Sequence, residues 1–438
     1  MVDYYLAIDI GATSGRHIIS HVSDGKIIIE EIYRFKNPVI KKNTGLYWDV
    51  NYLFREIING LKKCKETNKI PKSIGIDTFG VDYALLDENN HLIRDIYSYR
   101  DSRTINSKKE FDKFISEKEM FLTTGVYPQV FNTVYQLYDD FLKGDLKNVR
   151  TIMFLPCYLN YLLTGVKNNE LSISSTSGLL NRSTKSFDKK ILDLLSLSNE
   201  CFPKFYEAGE VIGSIKREIA NELGFNTVVK SVYSHDTAAA CYGANVKEGE
   251  LFLSSGTWSL IGAVNDKMVV SEKILNLGFT NELNNEHYVR FLKNIIGMFI
   301  ITKIESEQSE RINIEAIVKM AQKGENYTNT FDPTDSRFLA PVSMVDEIKN
   351  YFVEKNLIPP KDLQELFYCV YHSLAICYSN SIKEIETLLN NKYTILNVFG
   401  GGSKNMLLND LTEKIAHIKI AKGPSEATAI GNIRCQIK

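Results

Sequence analysis

The chain has 438 residues, of which 44% are hydrophobic and 24% are charged. This composition is close to that of average globular proteins and argues against a disordered or fibrous chain, and the length suggests two or three domains. The formal net charge is -1, so no overall positive field attracts nucleic acid or an anionic membrane. With no long apolar run and no signal-peptide pattern, we expect a cytoplasmic protein without a nucleic-acid or membrane partner.

The seven cysteines and seven histidines form no metal-binding or disulfide pattern. No two cysteines have the Cys-x-x-Cys spacing, and no His-Glu-x-x-His motif occurs. Buried or incidental thiols in a reducing compartment are therefore favoured over zinc ligands or a disulfide framework.

The first half of the chain predicts alternating strands, turns and helices. Apolar runs predict strands at residues 5–9, 17–21, 26–30, 73–77, 151–155 and 228–232. Helical spacing of apolar residues predicts helices at residues 51–63 and 158–163, and a run of small residues predicts a closely packed helix at 238–244.

The second half is more helical and begins with a similar hairpin. Strands are predicted at residues 251–257, 258–263, 395–399 and 418–421. Helices are predicted at residues 294–307, 312–322, 361–389 and 405–416, with a last helix starting at Pro424. The repeated hairpin predicts two α/β domains of related build, residues 1–245 and 246–438, with the boundary near residues 244–250.

Two hairpin tips have the composition of a phosphate-binding turn. In the first, residues 9–16, glycines allow close backbone approach, amides and hydroxyls can surround a phosphate, and Asp9 could hold Mg²⁺ through water. The second, residues 253–259, contains four hydroxyl side chains. An ordinary glycine-rich hairpin is the alternative for each, and the absence of Gly-x-x-x-x-Gly-Lys-Ser/Thr excludes a P-loop enzyme.

Three consecutive glycines, Gly400 to Gly402, lie between a predicted strand and a predicted helix. Bare backbone there suits the flat ring of an adenine, and a tight strand-to-helix turn is the alternative.

Polar residues follow two further strands. Asp236 could accept a proton from a substrate hydroxyl, although the residues alone favour the alternative of a helix N-cap. Gly80 lies between Asp77 and Asp82, which would suit sugar binding beside an aromatic face, with a polar loop as the alternative. Residues 100–104 are interpreted by themselves as a solvated charged turn.

The order of these motifs resembles that of the FGGY carbohydrate kinases, and most closely that of the members acting on L-rhamnulose. The matching segments are residues 7–16, 74–83, 99–104, 160–165, 234–238, 253–260, 292–297, 400–408 and 423–432. The resemblance implies two actin-like (ribonuclease H-like) α/β domains, with ATP and sugar in an interdomain active-site cleft.

The resemblance also implies roles for individual residues. Contacts with the ATP phosphates are implied for Ala12, Thr13, Ser14, Gly15, Arg16 and Thr257. Asn294 and Gly401 would lie on the nucleotide side. The ketose would be bound by Gly80, His235, Asp236 and Thr237, with Asp236 as the general base. Thr302 stands where relatives can carry a nucleotide-side Gln, so no contact is predicted for it.

The implied activity is ATP- and Mg²⁺-dependent phosphorylation of the 1-hydroxyl of L-rhamnulose in rhamnose catabolism, by a monomer or homodimer. One alternative is the same chemistry on another ketose or polyol, such as L-fuculose, xylulose or glycerol. The other is a non-catalytic actin-like protein that binds nucleotide only.

Overall fold

The computed structural model describes residues 2–339 and 341–437. The chain forms two compact units. The first comprises the chain up to Asn245, then Asn265–Arg290, then the segment from Ala427; the second comprises Val246–Val264 and Phe291–Glu426. The chain therefore passes between the units after residues 245, 264, 290 and 426, whereas the sequence suggests one passage near residues 244–250.

The strands are β1 (Tyr4–Ile10), β2 (Ser14–Ser23), β3 (Lys26–Lys36), β4 (Val39–Lys42), β5 (Gly45–Trp48), β6 (Pro71–Thr78), β7 (Tyr83–Leu86), β8 (Ile96–Tyr97), β9 (Thr151–Phe154), β10 (Val211–Ser214), β11 (Val228–Lys230), β12 (Leu251–Ser255), β13 (Trp258–Asn265), β14 (Phe279–Asn285), β15 (Tyr288–Ile296), β16 (Ile395–Phe399) and β17 (Lys419–Lys422).

The α-helices are α1 (Val50–Glu66), α2 (Thr104–Phe111), α3 (Glu117–Thr124), α4 (Thr133–Lys143), α5 (Leu155–Thr164), α6 (Leu171–Ser174), α7 (Lys189–Leu194), α8 (Arg217–Leu223), α9 (Asp236–Gly243), α10 (Glu272–Asn276), α11 (Phe299–Ser306), α12 (Ile314–Lys323), α13 (Met344–Glu354), α14 (Leu363–Leu389), α15 (Met406–Ala416) and α16 (Ala427–Ile437). Within the described residues, no helix is both long and apolar enough to cross a membrane.

The main sheet of the first unit has the strand order β10-β11-β6-β1-β2-β3. β1 is antiparallel to β2 and parallel to β6. Leu6, Ala7 and Ile8 are fully buried, as expected for a central strand whose two faces are both covered. The carboxyl ends of β1 and β6 lie side by side, which brings Asp9 beside Asp77.

Helices α9 and α16 pack backbone to backbone, which confirms the predicted close packing of the small-residue helix. A Cβ on Gly243 would lie 1.8 Å from the carbonyl oxygen of Ala427, and one on Gly431 would lie 1.8 Å from that of Ala239. Both glycines are therefore required by helix contact.

The second unit is built on strands β15, β13, β12, β16 and β17, adjacent in that order. β12 is antiparallel to β13 and parallel to β16. Two expectations fail here. Asn294 lies on β15 and the following helix begins at Phe299, because apolar residues of a buried strand imitate helical spacing over a few residues. Pro424 lies in the loop before α16, where its carbonyl accepts a hydrogen bond from the Gly400 amide.

Candidate active site

The first hairpin tip is closed by hydrogen bonds from its own backbone and a neighbouring side chain. The amide of Gly11 donates to the Ser14 carbonyl at 2.9 Å, and the side-chain amide of Asn37 donates to the Gly11 carbonyl at 2.9 Å. Thr13 is exposed and Ala12 is half-buried. The tip therefore presents a preformed, solvent-accessible turn of the kind that binds anions.

Gly15 and Arg16 continue this tip into β2 with different roles. A Cβ on Gly15 would lie 2.1 Å from the ring of Phe35, so packing explains this glycine. The guanidinium of Arg16 donates to Oδ2 of Asp9 at 2.6 Å, with 21% of the arginine side chain exposed. Asp9 therefore holds in place the positive charge of Arg16, which could bind a phosphate at this tip.

Asp77 lies beside Asp9 and is fully buried. Its Oδ2 accepts a hydrogen bond from the Asn432 side chain at 2.6 Å, whereas its Oδ1 has no hydrogen-bond partner. Burial, and then the charge of Asp9, raise the pKa of Asp77 well above its usual range, against the hydrogen bond from Asn432. The two carboxyl groups therefore lie side by side, and one oxygen of Asp77 has no hydrogen-bond partner.

Asp9 and Asp77 offer the oxygen donors that Mg²⁺ prefers. No group of three side chains able to hold a metal directly occurs in the part of the chain that the structure describes. Mg²⁺ usually keeps several waters and takes only one or two carboxylates when it is bound with a phosphate. Asp9 and the unpartnered oxygen of Asp77 therefore fit such an ion.

The segment before α9 is fixed against the end of β6. The amide of Thr78 donates to the Ser234 carbonyl at 2.9 Å. The amide of Ser234 donates to Glu170 at 3.1 Å, and the amide of His235 donates to Ser172 Oγ at 3.2 Å. These bonds bring His235, Asp236 and Thr237 to the same sheet edge as Gly80.

Asp236 is the first residue of α9, and the N-cap interpretation is wrong. The N-cap is His235, and no side chain caps this helix end by a hydrogen bond. Oδ1 of Asp236 accepts a hydrogen bond from Thr237 Oγ1 at 3.1 Å, and 34% of the aspartate side chain is exposed. Burial is the largest influence and raises the pKa of Asp236 above its usual value. His235 opposes this rise, and the charge of Asp9 adds to it. A raised pKa suits a general base.

The Gly80 loop contains a strained residue. Val81 has a φ of 72°, a region that β-branched residues rarely occupy. Its amide donates to Thr176 Oγ1 at 3.2 Å, and its carbonyl accepts from Thr133 Oγ1 at 2.6 Å. A Cβ on Gly80 would lie 3.0 Å from the same Thr176 oxygen. Thr176 thus holds the backbone that is predicted to meet the sugar.

Asp82 organises an aromatic wall beside this loop. It is 1% exposed, and its oxygens accept hydrogen bonds from Trp48 Nε1 at 2.6 Å, the Tyr99 amide at 3.0 Å and Gln136 Nε2 at 3.2 Å. The ring of Phe79 lies 4.8 Å from Trp48 and 5.6 Å from Tyr99. Burial raises the pKa of Asp82 to about 6 against these donors. Because both oxygens of Asp82 already accept hydrogen bonds from the protein, Asp82 is a positioning residue.

Sequence reasoning missed the partners of this wall and misjudged the turn at residues 100–104. The expected solvated turn is wrong, because the Arg103 side chain is only 6% exposed and its Nη1 lies 2.8 Å from both Asp139 and Asp140. Arg100 and Ser102 are exposed, as expected for this turn. The partners are over 30 residues away, so no local pattern could have shown the pairing.

The second unit contains its own cavity of about 630 Å³, within the range of small-molecule sites. It is lined by Gly256, Thr257, Met298, Ile314, Glu315, Val318, Lys319, Gln322, Gly401, Gly402, Lys404, Asn405 and Met406. The second hairpin tip and the triple-glycine turn therefore meet at one cavity, together with α12, to which the sequence assigned no role.

The three glycines differ in their surroundings. Gly400 has a φ of 84°, and a Cβ on Gly402 would lie 2.0 Å from Ser255 Oγ. A Cβ on Gly401 would meet nothing within 4 Å. Backbone geometry and packing thus account for two glycines, while Gly401 borders open space. Asn294, half-buried on β15, does not belong to the residues described as lining the cavity.

Two family models match the chain. The N-terminal domain of the FGGY family of carbohydrate kinases matches residues 4–243, and the C-terminal domain of the same family matches residues 251–438. The chain belongs to the FGGY family of carbohydrate kinases and is a carbohydrate kinase. Kinases of this family use ATP, typically with Mg²⁺.

Among known proteins, the chain is 39% identical to a rhamnulokinase from Halalkalibacterium halodurans, covering 99% of this chain and 93% of the relative. It is 36% identical to a rhamnulokinase from Bacillus subtilis, covering 99% of this chain and 90% of the relative.

Solved structures show the same fold. A gluconate kinase from Lactobacillus acidophilus has a TM-score of 0.81 at 16% identity, covering 100% of this chain and 89% of that one. A glycerol kinase from Plasmodium falciparum with ADP has a TM-score of 0.77 at 14% identity, covering 99% and 89%. This likeness confirms the predicted α/β fold with two sheet-based domains.

Proposed function

We propose that this carbohydrate kinase transfers the γ-phosphoryl group of ATP to the 1-hydroxyl of L-rhamnulose. The rhamnulokinases from Halalkalibacterium halodurans and Bacillus subtilis support this substrate, since they align over nearly the whole chain. The placement of Asp236 supports the chemistry most directly. Its carboxylate is partly exposed at a sheet edge, has no capping role and has a raised pKa.

In this reaction the sugar hydroxyl oxygen forms a bond to the γ-phosphorus, the bond from that phosphorus to the ADP oxygen breaks, and Asp236 accepts the hydroxyl proton. Phosphoryl transfer depends mainly on positioning and charge stabilisation. Arg16, anchored by Asp9, and the backbone and hydroxyls of residues 12–15 would bind phosphate oxygens. Bound Mg²⁺ would neutralise phosphate charge, with Asp9 holding it through water.

The two units would divide the substrates between them, with the sugar and phosphate side in the first unit and the nucleotide side in the second unit. Gly80, His235, Asp236 and Thr237 would bind the ketose. In the second unit, Thr257 would contact the phosphates and Gly401 would border the adenosine, with Asn294 nearby. A cytoplasmic location and a monomeric or homodimeric state remain predictions.

The test is ADP release with L-rhamnulose, L-fuculose, D-xylulose and glycerol. L-Rhamnulose should have the highest kcat/KM, because a site built to bond specific hydroxyls strongly rejects sugars that lack them. Faster turnover of another member of the panel would contradict the substrate assignment. ATP binding without any sugar-stimulated ADP release would favour the non-catalytic alternative.

A further inference from the structure

A buried series of charged groups leads through the first unit to His235. Arg290 on β15 is fully buried, and its Nη1 lies 2.9 Å from Oε2 of Glu282 on β14. The same glutamate oxygen lies 3.3 Å from Nδ1 of His235. On the other side of the ring, Nε2 lies 3.4 Å from Oδ1 of Asp236. The order of the groups is therefore Arg290, Glu282, His235 and Asp236.

Fold stability alone does not explain why the charges of Arg290 and Glu282 are buried together. Removing two charges from water is costly, and an apolar pair of similar volume often stabilises a fold equally well. Burial favours a neutral Glu282. The charge of Arg290 and, to a smaller extent, His235 act in the opposite direction and lower the pKa of Glu282 to about 2. Glu282 is therefore an anion at neutral pH, held against the His235 ring.

The backbone and the ring of His235 are held by different groups. Ser172 accepts the His235 amide hydrogen bond, and Glu170 accepts that of Ser234. These contacts fix the main chain, so the orientation of the ring depends on the groups that face its two nitrogens. The groups facing the two ring nitrogens are Glu282 with Arg290 at Nδ1, and Asp236 at Nε2. In a neutral histidine, the hydrogen bond made by one ring nitrogen determines whether the other nitrogen carries a proton.

We propose that Glu282, held by Arg290, positions the His235 ring so that its Nε2 faces Asp236, and that this pair thereby orients the base of the kinase. The inference rests on the proposed function, in which Asp236 accepts the sugar proton. Oε2 of Glu282 lies 3.3 Å from Nδ1 of His235, and Glu282 needs no contact with sugar or nucleotide to act in this way. Glu282 and Arg290 are therefore positioning residues, and their effect should appear in kcat.

The experiment compares Glu282→Gln with the double variant Glu282→Leu, Arg290→Met. We expect kcat for L-rhamnulose to fall by about 10–100-fold in both, the size of loss that slight misplacement of a reacting group causes, with KM for ATP within about twofold. The double variant should keep a Tm near that of the wild type, because an apolar pair replaces both charges. Long-range ¹H–¹⁵N spectra, with His235 assigned by His235→Asn, should show a changed Nδ1 resonance.

Glu307→Gln provides a matched control in the second unit. Glu307 accepts amide hydrogen bonds from Met344 at 2.7 Å and Val345 at 3.3 Å. Losing this carboxylate should lower Tm and leave kcat and the His235 resonances unchanged.

Wild-type kcat in a folded double variant, or unchanged His235 resonances in Glu282→Gln, would overturn the proposal. If the double variant does not fold, the Glu282→Gln spectrum decides alone. If the wild type fails to phosphorylate L-rhamnulose, the proposed substrate is wrong. The spectra would still decide whether Glu282 sets the His235 ring.

Discussion

The two hairpin tips share one build and differ in their chemistry. In the first unit, the β1–β2 tip lies above two carboxylates, and Arg16 is tied to Asp9 at 2.6 Å. In the second unit, the β12–β13 tip carries hydroxyls, and its Gly256 and Thr257 carbonyls accept amide hydrogen bonds from residues 297–299. The fully buried Ser259 lies 2.6 Å from the hydroxyl of Tyr378.

In the proposed function, the two strand-turn-strand units bind different parts of the same substrate, ATP. A charged tip suits the part of the molecule where charge develops during transfer. A neutral tip of backbone and hydroxyl groups suits binding with less cost of burying charge. Variants that exchange or remove these features should therefore have unequal effects.

The largest effect should come from Asp236→Asn, which removes the charge of the proposed base in the first unit. We expect kcat to fall by about 10²–10⁴-fold. Tm should change little, because the N-cap of α9 is His235 and Asp236 does not cap the helix. Measuring kcat and Tm on one preparation tests both statements, and near-normal kcat would remove Asp236 from the catalytic role.

In the second unit, Gly401→Val should weaken ATP binding without unfolding the protein. The new side chain would enter the cavity, and overpacking costs roughly 1–3 kcal/mol, or about 5–150-fold in affinity. Gly402→Ala is the matched control, because its Cβ would collide with Ser255 and should lower Tm. Calorimetric ATP affinity equal to that of the wild type in Gly401→Val would exclude Gly401 from the site.

A direct comparison of the tips uses Arg16→Met and Thr257→Val. We expect the KM for ATP to rise by roughly tenfold or more for Arg16→Met and by about threefold for Thr257→Val, because hydrogen bonds from charged groups are stronger. Arg34→Met is the control, since the Arg34 side chain is 52% exposed and pairs with Glu31. Equal effects at both tips would contradict the contrast between them.

The last effect, on stability and not on catalysis, should be a pH-dependent change of stability in Asp82→Asn. The pKa of Asp82 is raised by burial from 3.8 to about 6, so the folded state binds its proton more tightly than the unfolded chain. Stability is therefore lost as pH rises through this interval, by at most about 3 kcal/mol. The variant lacks that loss, so its Tm relative to the wild type should become more positive from pH 4 to pH 7.

Asp3→Asn gives the baseline for this measurement, because Asp3 forms an exposed ion pair with Lys72. A Tm difference for Asp82→Asn that stays constant over the pH range would show that burial does not govern the ionisation of Asp82.

Local patterns were sufficient for most elements and for the motif positions. The apolar run before Gly11 and the apolar spacing of α1 correspond to a strand and a helix in the structure. Both patterns depend on residues that are close together in the sequence. Asn294 was misplaced because a short buried strand and a buried helix have the same apolar composition. Asp236 and Gly401 were identified as candidates, although each also had an ordinary structural explanation.

The sequence by itself determined the α/β class, the two hairpin tips, the family and the candidate residues, since these depend on residue type and order. Only the tertiary structure decided that His235 and not Asp236 is the N-cap of α9, that packing explains Gly15 and Gly402, and that Glu282 and Arg290 reach His235. Those facts depend on contacts between residues tens of positions apart. No local spacing records them, because burial and partner distance arise only when strands and helices pack together.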